Sequence, residues 1–123
     1  MKTINVNLDE RSYPIYIGDS ILSNKKLLSQ YTTSNQVLIV TNEKIAPLYL
    51  KIIETNFVKS DCDVFILPDG ESYKTLDSLN KIITKLIENK FSRTCILIAL
   101  GGGVIGDLTG FAASCYQRGV KFI

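Results

Sequence analysis

Two stretches of this chain combine residue types that can hold a phosphorylated ligand. The first, Gly101-Gly102-Gly103-Val104-Ile105-Gly106-Asp107, follows the apolar run Cys95 to Leu100 and leads into a helical pattern. Glycines let the backbone come close to a ligand and take up positive φ without steric cost, and a helix start aims unpaired N–H groups at an anion. Gly101-x-Gly103-x-x-Gly106 satisfies the dinucleotide fingerprint, with the required strand before it and helix after it. It departs from the usual form in following the third strand of a strand-helix series, and the acidic residue expected about twenty positions later falls where the sequence ends. Two readings stand on pattern alone: a phosphate cradle, or a tight strand-helix turn in which Gly106 and Gly110 permit close packing.

The second stretch, Pro68-Asp69-Gly70-Glu71-Ser72-Tyr73-Lys74, follows another apolar strand, at the sheet edge where open α/β folds bind ligands. Pro-Asp-Gly is also a plain turn signal. Lys74 is less ordinary, because a cation near a helix start opposes the helix dipole and needs another reason to be there. Asp107 reads as lying in the first turn of the helix after the glycines, where the dipole favours a carboxylate; beside a phosphate it would have to point elsewhere, for instance toward a ribose hydroxyl. Asn42, in Thr41-Asn42-Glu43, is explained by helix capping. Arg118 suits either a helix carboxyl terminus or a bidentate contact with phosphate or carboxylate.

The chain has 123 residues, 46% of them hydrophobic, enough for one domain with a core. Fourteen basic and twelve acidic residues give a net charge of +2 with no basic block, so nothing points to nucleic acid or a membrane surface. There is no histidine, which removes the commonest metal ligand and general base, and no metal site is expected within the chain. Cys62, Cys95 and Cys115 show no C-x-x-C spacing; Cys95 and Cys115 sit in apolar elements, which reads as reduced, buried thiols of a cytoplasmic protein. The amino terminus alternates polar and apolar residues instead of forming a signal-peptide core.

The elements that must position these residues follow from periodicity. Ile4, Val6 and Leu8, then Tyr13, Ile15 and Ile17, alternate on either side of a polar turn and predict an antiparallel hairpin. Asp19-Ser20 predicts a cap for a short helix through Leu28. Val37 to Val40, Val64 to Leu67 and Cys95 to Leu100 are apolar strands, each followed by a helical pattern. The predicted apolar faces are Ile45, Leu48, Tyr49, Ile52 and Ile53; then Leu76, Leu79, Ile82, Ile83, Leu86 and Ile87; then Leu108, Phe111, Ala112 and Cys115. Val120 to Ile123 begins a further strand. The expected fold is α/β: a Rossmann-like parallel sheet with helices on both faces, preceded by the hairpin. Since the last residues read as mid-strand, residues 1–123 are expected to be a fragment of a longer protein.

Taken in order, Val40 to Tyr49, Pro68 to Lys74, Gly101 to Phe111 and Tyr116-Gln117-Arg118-Gly119 closely resemble the bacterial 3-dehydroquinate synthases, over nearly the whole chain. The resemblance implies the amino-terminal NAD-binding domain of a phosphate-eliminating lyase of the shikimate pathway, on the route to chorismate and aromatic amino acids. That family converts 3-deoxy-D-arabino-heptulosonate 7-phosphate to 3-dehydroquinate, using NAD that is restored in each turnover and a divalent metal, zinc or cobalt. By motif, Asp69, Gly70, Glu71, Ser72, Tyr73 and Lys74, together with Gly102, Gly103, Val104, Ile105, Gly106 and Asp107, would contact NAD. Asn42 is a lesser candidate, and Arg118 would contact the sugar phosphate. Lys44 departs from the small polar residue that many bacterial members carry. The family's metal ligands, a Glu and two His, lie in a downstream helical domain, so this chain alone is expected to lack turnover while the whole enzyme forms a homodimer. A related sugar-phosphate cyclase and a non-catalytic nucleotide-binding domain are the alternatives.

Overall fold

Val37-Leu38-Ile39-Val40 is apolar at every position because both of its faces are covered. In the computed structural model, which describes residues 1–123, it lies in β3 (Gln36–Asn42), between β4 (Asp61–Leu67) and β5 (Ile96–Ala99). With β6 (Lys121–Phe122) these form a parallel sheet in the order β4-β3-β5-β6. Leu38, Val40 and Leu97 pack with Ile82 and Leu86 of α3 (Leu76–Glu88) and with Ile105, Leu108 and Ala112 of α4 (Gly103–Cys115). The alternate residues Val37, Ile39, Ile96 and Ile98 pack on the other face with Leu28 of α1 (Lys25–Ser29), Ile53 of α2 (Ala46–Glu54) and Phe57. Each fully buried aliphatic side chain contributes about 1.5–3 kcal/mol, so the two faces carry most of the stability. The expected α/β architecture, with helices on both faces, is what forms.

The hairpin is present as a separate two-stranded ribbon, β1 (Lys2–Val6) paired antiparallel with β2 (Tyr13–Ile17). Its register places Ile4 opposite Ile15 and Val6 opposite Tyr13 on one face, and Ile4, Ile15, Tyr13 and Ile17 are exposed. On the other face the Tyr16 and Tyr31 hydroxyls hydrogen-bond at 2.8 Å.

Local departures from the sequence reading have simple causes. The helix expected after Asp19-Ser20 is split: Ser20 takes φ +56, a 3-10 turn spans Ile21–Ser23, and Asn24 caps α1 by accepting from the Leu27 amide at 3.2 Å. In α2, Leu48, Tyr49 and Ile52 are exposed and Ile53 alone is buried, because the helix is short and meets the sheet along a narrow stripe. In α4 the buried face is Ile105, Leu108, Thr109, Ala112 and Ala113, whereas Phe111 and Cys115 face outward. Of the two cysteines in apolar elements that were expected to be buried, Cys95 is and Cys115 is not; Cys62 is half-buried.

Candidate functional site

Because β3, β4 and β5 run parallel, their carboxyl ends meet at one edge, and short contacts close it. The Thr41 hydroxyl, fully buried, donates to the Leu100 carbonyl at 2.7 Å; the Leu100 amide donates to Val40 O at 2.9 Å, and the Glu43 amide to Leu67 O at 2.9 Å. Asn42 Oδ1 accepts from the Lys44 and Ile45 amides at 3.0 and 2.9 Å in the turn before α2, and not as the expected cap of that helix, whose N-cap is Ile45; its Nδ2 donates to Asp69 Oδ1 at 3.2 Å. Lys44 Nζ lies 3.2 Å from Asp69 Oδ2. A cavity of about 270 Å³ opens between Asn42, Asp69 and Tyr73 on one side and Gly102, Gly103 and Val104 on the other.

The glycines of the turn divide between the two roles left open by the sequence. None of Gly101, Gly102 and Gly103 has a positive φ, so backbone conformation does not demand glycine there and that expectation is corrected. Space does the selecting. A Cβ on Gly101 would lie 2.9 Å from Ile105 Cγ1, and one on Gly110 would lie 3.1 Å from Phe122 Cζ; these two glycines serve packing. A Cβ on Gly102, Gly103 or Gly106 would meet nothing within 4 Å, so these three leave open room above the backbone. Gly102 has no side chain to cap α4, and the first helical amides, Gly103, Val104 and Ile105, have no partner one turn earlier within the helix. Open room over uncapped amides at a helix start fits a dinucleotide's pyrophosphate.

Gly70 adopts φ +122, a conformation side chains resist, and turns the chain into a 3-10 turn, Glu71–Tyr73, that delivers Lys74 to α4. Lys74 Nζ sits 2.6 Å from Asp107 Oδ2 and 4.0 Å from Glu71 Oε1. The reason the cation needed is therefore Asp107. Its hydrogen bond and charge hold the Lys74 ammonium above the usual lysine range against the opposing effect of desolvation, with Glu71 adding a lesser contribution. Asp107 is the fifth residue of α4, not in its first turn, so the dipole is not what places it. Lys74, Gly106 and Asp107 border a second, larger groove of about 910 Å³ between α3 and α4, and both cavities reach Leu108.

The structure thus gathers Asn42, Asp69, Gly70, Tyr73 and Gly102 to Ile105 about the smaller cavity, and Lys74, Gly106 and Asp107 about the larger. Glu71 and Ser72 line neither, being on the exposed side of the 3-10 turn. Arg118 stands apart. The thirteen residues of α4 span about 20 Å at 1.5 Å per residue and end at the opposite sheet edge, where the buried Tyr116 hydroxyl donates to the Phe91 carbonyl. Gln117, Arg118 and Gly119 then take φ +49, +62 and +109 in succession to turn the chain into β6. Thr41 was not among the sequence candidates; a hydroxyl at the end of an otherwise apolar strand was the available signal. No three Cys, Asp or Glu side chains are grouped to hold a metal ion.

The fold, a parallel α/β sheet preceded by a hairpin, recurs in solved structures of two synthases. The chain superposes with a TM-score of 0.83 on 2-deoxy-scyllo-inosose synthase complexed with carbaglucose-6-phosphate, NAD+ and Co2+, at 21% identity over 98% of this chain and 34% of that one. It superposes at 0.71 on 2-epi-5-epi-valiolone synthase from Streptomyces hygroscopicus with NAD+ and Zn2+ bound, at 23% identity over 95% of this chain and 33% of that one. Residues 64–123 match the family model described as 3-dehydroquinate synthase N-terminal. The 3-dehydroquinate synthases of Ruthia magnifica and Hydrogenovibrio crunogenus are each 57% identical over the whole chain and 34% of their own length. That of Shewanella is 54% identical over 98% of this chain and 34% of its own. The chain is thus similar to the 3-dehydroquinate synthases, and it spans about a third of the length of the curated relatives it matches.

Proposed function

We propose that this chain is the NAD-holding domain of a 3-dehydroquinate synthase, the lyase that converts 3-deoxy-D-arabino-heptulosonate 7-phosphate to 3-dehydroquinate and phosphate in the shikimate pathway. One observation carries the proposal: Gly102, Gly103 and Gly106 leave open room over uncapped helix amides, in a chain 53–57% identical to proteins of that name. The Gly103, Val104 and Ile105 amides receive pyrophosphate oxygens, which needs no side-chain cation. Asp107 accepts from a ribose hydroxyl, and the ion pair with Lys74 fixes that carboxylate in direction. Asp69, held by Asn42 and Lys44, borders the smaller cavity together with those amides. Gly70 shapes the turn that brings in Tyr73 and Lys74, with Glu71 and Ser72 at its rim. When bound, NAD supplies a hydride acceptor that is restored within the turnover.

A divalent metal, zinc or cobalt, belongs to the same reading and is held by residues outside this chain. Arg118 meets the sugar phosphate at a second locus, away from the glycine cradle. The whole enzyme is a cytoplasmic homodimer; within this chain no helix is long and apolar enough to cross a membrane. The test is a graft in which this chain replaces the matching third of the Shewanella relative. The chimera is expected to form 3-dehydroquinate while the chain alone does not. A folded chimera that binds NAD yet leaves the heptulosonate phosphate untouched would overturn the assignment.

A further inference from the structure

At the amino edge of the sheet, a cavity of about 600 Å³ lies between the loop before β3, the loop before β5 and the start of β6. Eight of its nine lining residues are polar, and none is a carboxylate. Arg93 and Lys121 supply its charge, and neither has a carboxylate within 4 Å: every ion pair of the chain is made by Lys44, Lys74, Lys81 or Lys85. Lys121 pairs in register with Ile96, so it projects on the α1 and α2 face of the sheet, the side on which the loop before β3 arrives.

The floor of this cavity is already ordered. Gln36 Oε1 accepts from the Ser92 amide at 2.7 Å and its Nε2 donates to Lys90 O at 3.2 Å, tying the two loops together. The Ser34 hydroxyl fixes the Gln36 backbone, accepting from its amide at 3.2 Å and donating to its carbonyl at 3.1 Å. The Ser92 and Thr94 hydroxyls lie 2.9 Å apart on the rim. Asp61, the nearest carboxylate in the strand order, belongs to β4, on the far side of β3 from β5.

We propose that this cavity binds a phosphate monoester, held by Arg93 and Lys121 with the hydroxyls of Ser92 and Thr94, as a site separate from the glycine cradle. Two unpaired cations suit a dianion better than a monoanion, and a phosphate monoester carries about −1.5 to −2 at pH 7. The guanidinium offers a bidentate fork, the ammonium a point charge, and the hydroxyls further donors. The volume falls within the roughly 300–1,000 Å³ of small-molecule pockets and leaves room for the organic part of the ester. The proposal does not depend on the function assigned to the opposite edge.

The test follows the amide resonances of the 123-residue chain during titration with glycerol 3-phosphate and, separately, with inorganic phosphate. The monoester is expected to shift the Gln36, Ser92 and Thr94 amides saturably and more tightly than inorganic phosphate does, with the Gly102 and Gly103 amides unmoved. Arg93→Gln and Lys121→Gln should each weaken it about tenfold, and Arg93→Lys should recover part of that loss. Both side chains are exposed, so neither change threatens the fold. Equal response to inorganic phosphate, shifts confined to Gly102 to Ile105, or shifts unchanged in both variants would overturn the proposal. So would binding of a single-stranded RNA without any response to the monoester.

Discussion

The carboxyl and amino edges of one four-stranded sheet handle charge in opposite ways. At the carboxyl edge Glu43, Asp69, Glu71 and Asp107 outnumber Lys44 and Lys74, and both lysines are committed to carboxylates. At the amino edge Lys59, Lys90, Arg93, Arg118 and Lys121 have no carboxylate partner within 4 Å. On the proposed function, a dinucleotide at the first edge would place its phosphates on backbone amides and not on side-chain cations, leaving a carboxylate free for sugar hydroxyls. The second edge has no such helix start and must attract anions with side chains.

The contrast breaks most readily at the glycines. Gly102→Val should weaken NAD binding about 100-fold by calorimetry, since the new side chain fills the room over the amides. Its unfolding midpoint in urea should barely move, because a Cβ there meets nothing within 4 Å. Gly101→Ala should act the other way, lowering stability by about 1–3 kcal/mol in urea, because its Cβ would press on the buried Ile105. Matching losses of stability in the two variants would erase the division between packing and cradle glycines.

A smaller effect is expected from Asp107→Asn, which removes the partner of Lys74. NAD affinity should fall about fivefold, with the unfolding midpoint in urea barely moved, since exposed ion pairs contribute little. Unchanged affinity would remove Asp107 from the site.

The smallest effect lies off both edges. Burial, with the charges of Glu54, Asp63 and Asp61, pushes the Cys62 thiol from 9.0 up to about 11, and burial also raises Cys95. Mass spectrometry after brief alkylation near neutral pH should therefore find label on the exposed Cys115 first. Because the Cys62 value is raised on folding, its contribution to stability is complete below about pH 9 and is lost as pH rises toward 11. A denaturation midpoint independent of pH between 8 and 11 would contradict this.

Much of the carboxyl edge was legible in the sequence because its parts are contiguous: a strand, a glycine run and a helix are neighbours along the chain, and so are Pro68 to Lys74. What periodicity missed was orientation. Phe111 and Cys115 fit a 3.6-residue repeat with Leu108, yet small Ala112 and Ala113 let α4 lie close to the sheet on a rotated face. The Lys74–Asp107 pair joins residues far apart in sequence, so the sequence could state the need for a partner without naming it. The amino edge was illegible for the same reason, since Gln36 of β3, Ser92 and Arg93 of the loop before β5, and Lys121 of β6 come from three separated parts of the chain and form no motif.

The glycine turn as a dinucleotide cradle is tested most directly by following the chain's amide resonances during titration with NAD. Saturable shifts that are largest at Gly102, Gly103, Val104 and Ile105, extend to Lys74 and Asp107, and spare Ser92 and Thr94 are the predicted result. Saturation with the Gly102 to Asp107 amides unmoved, or no saturable shift at all, would contradict it.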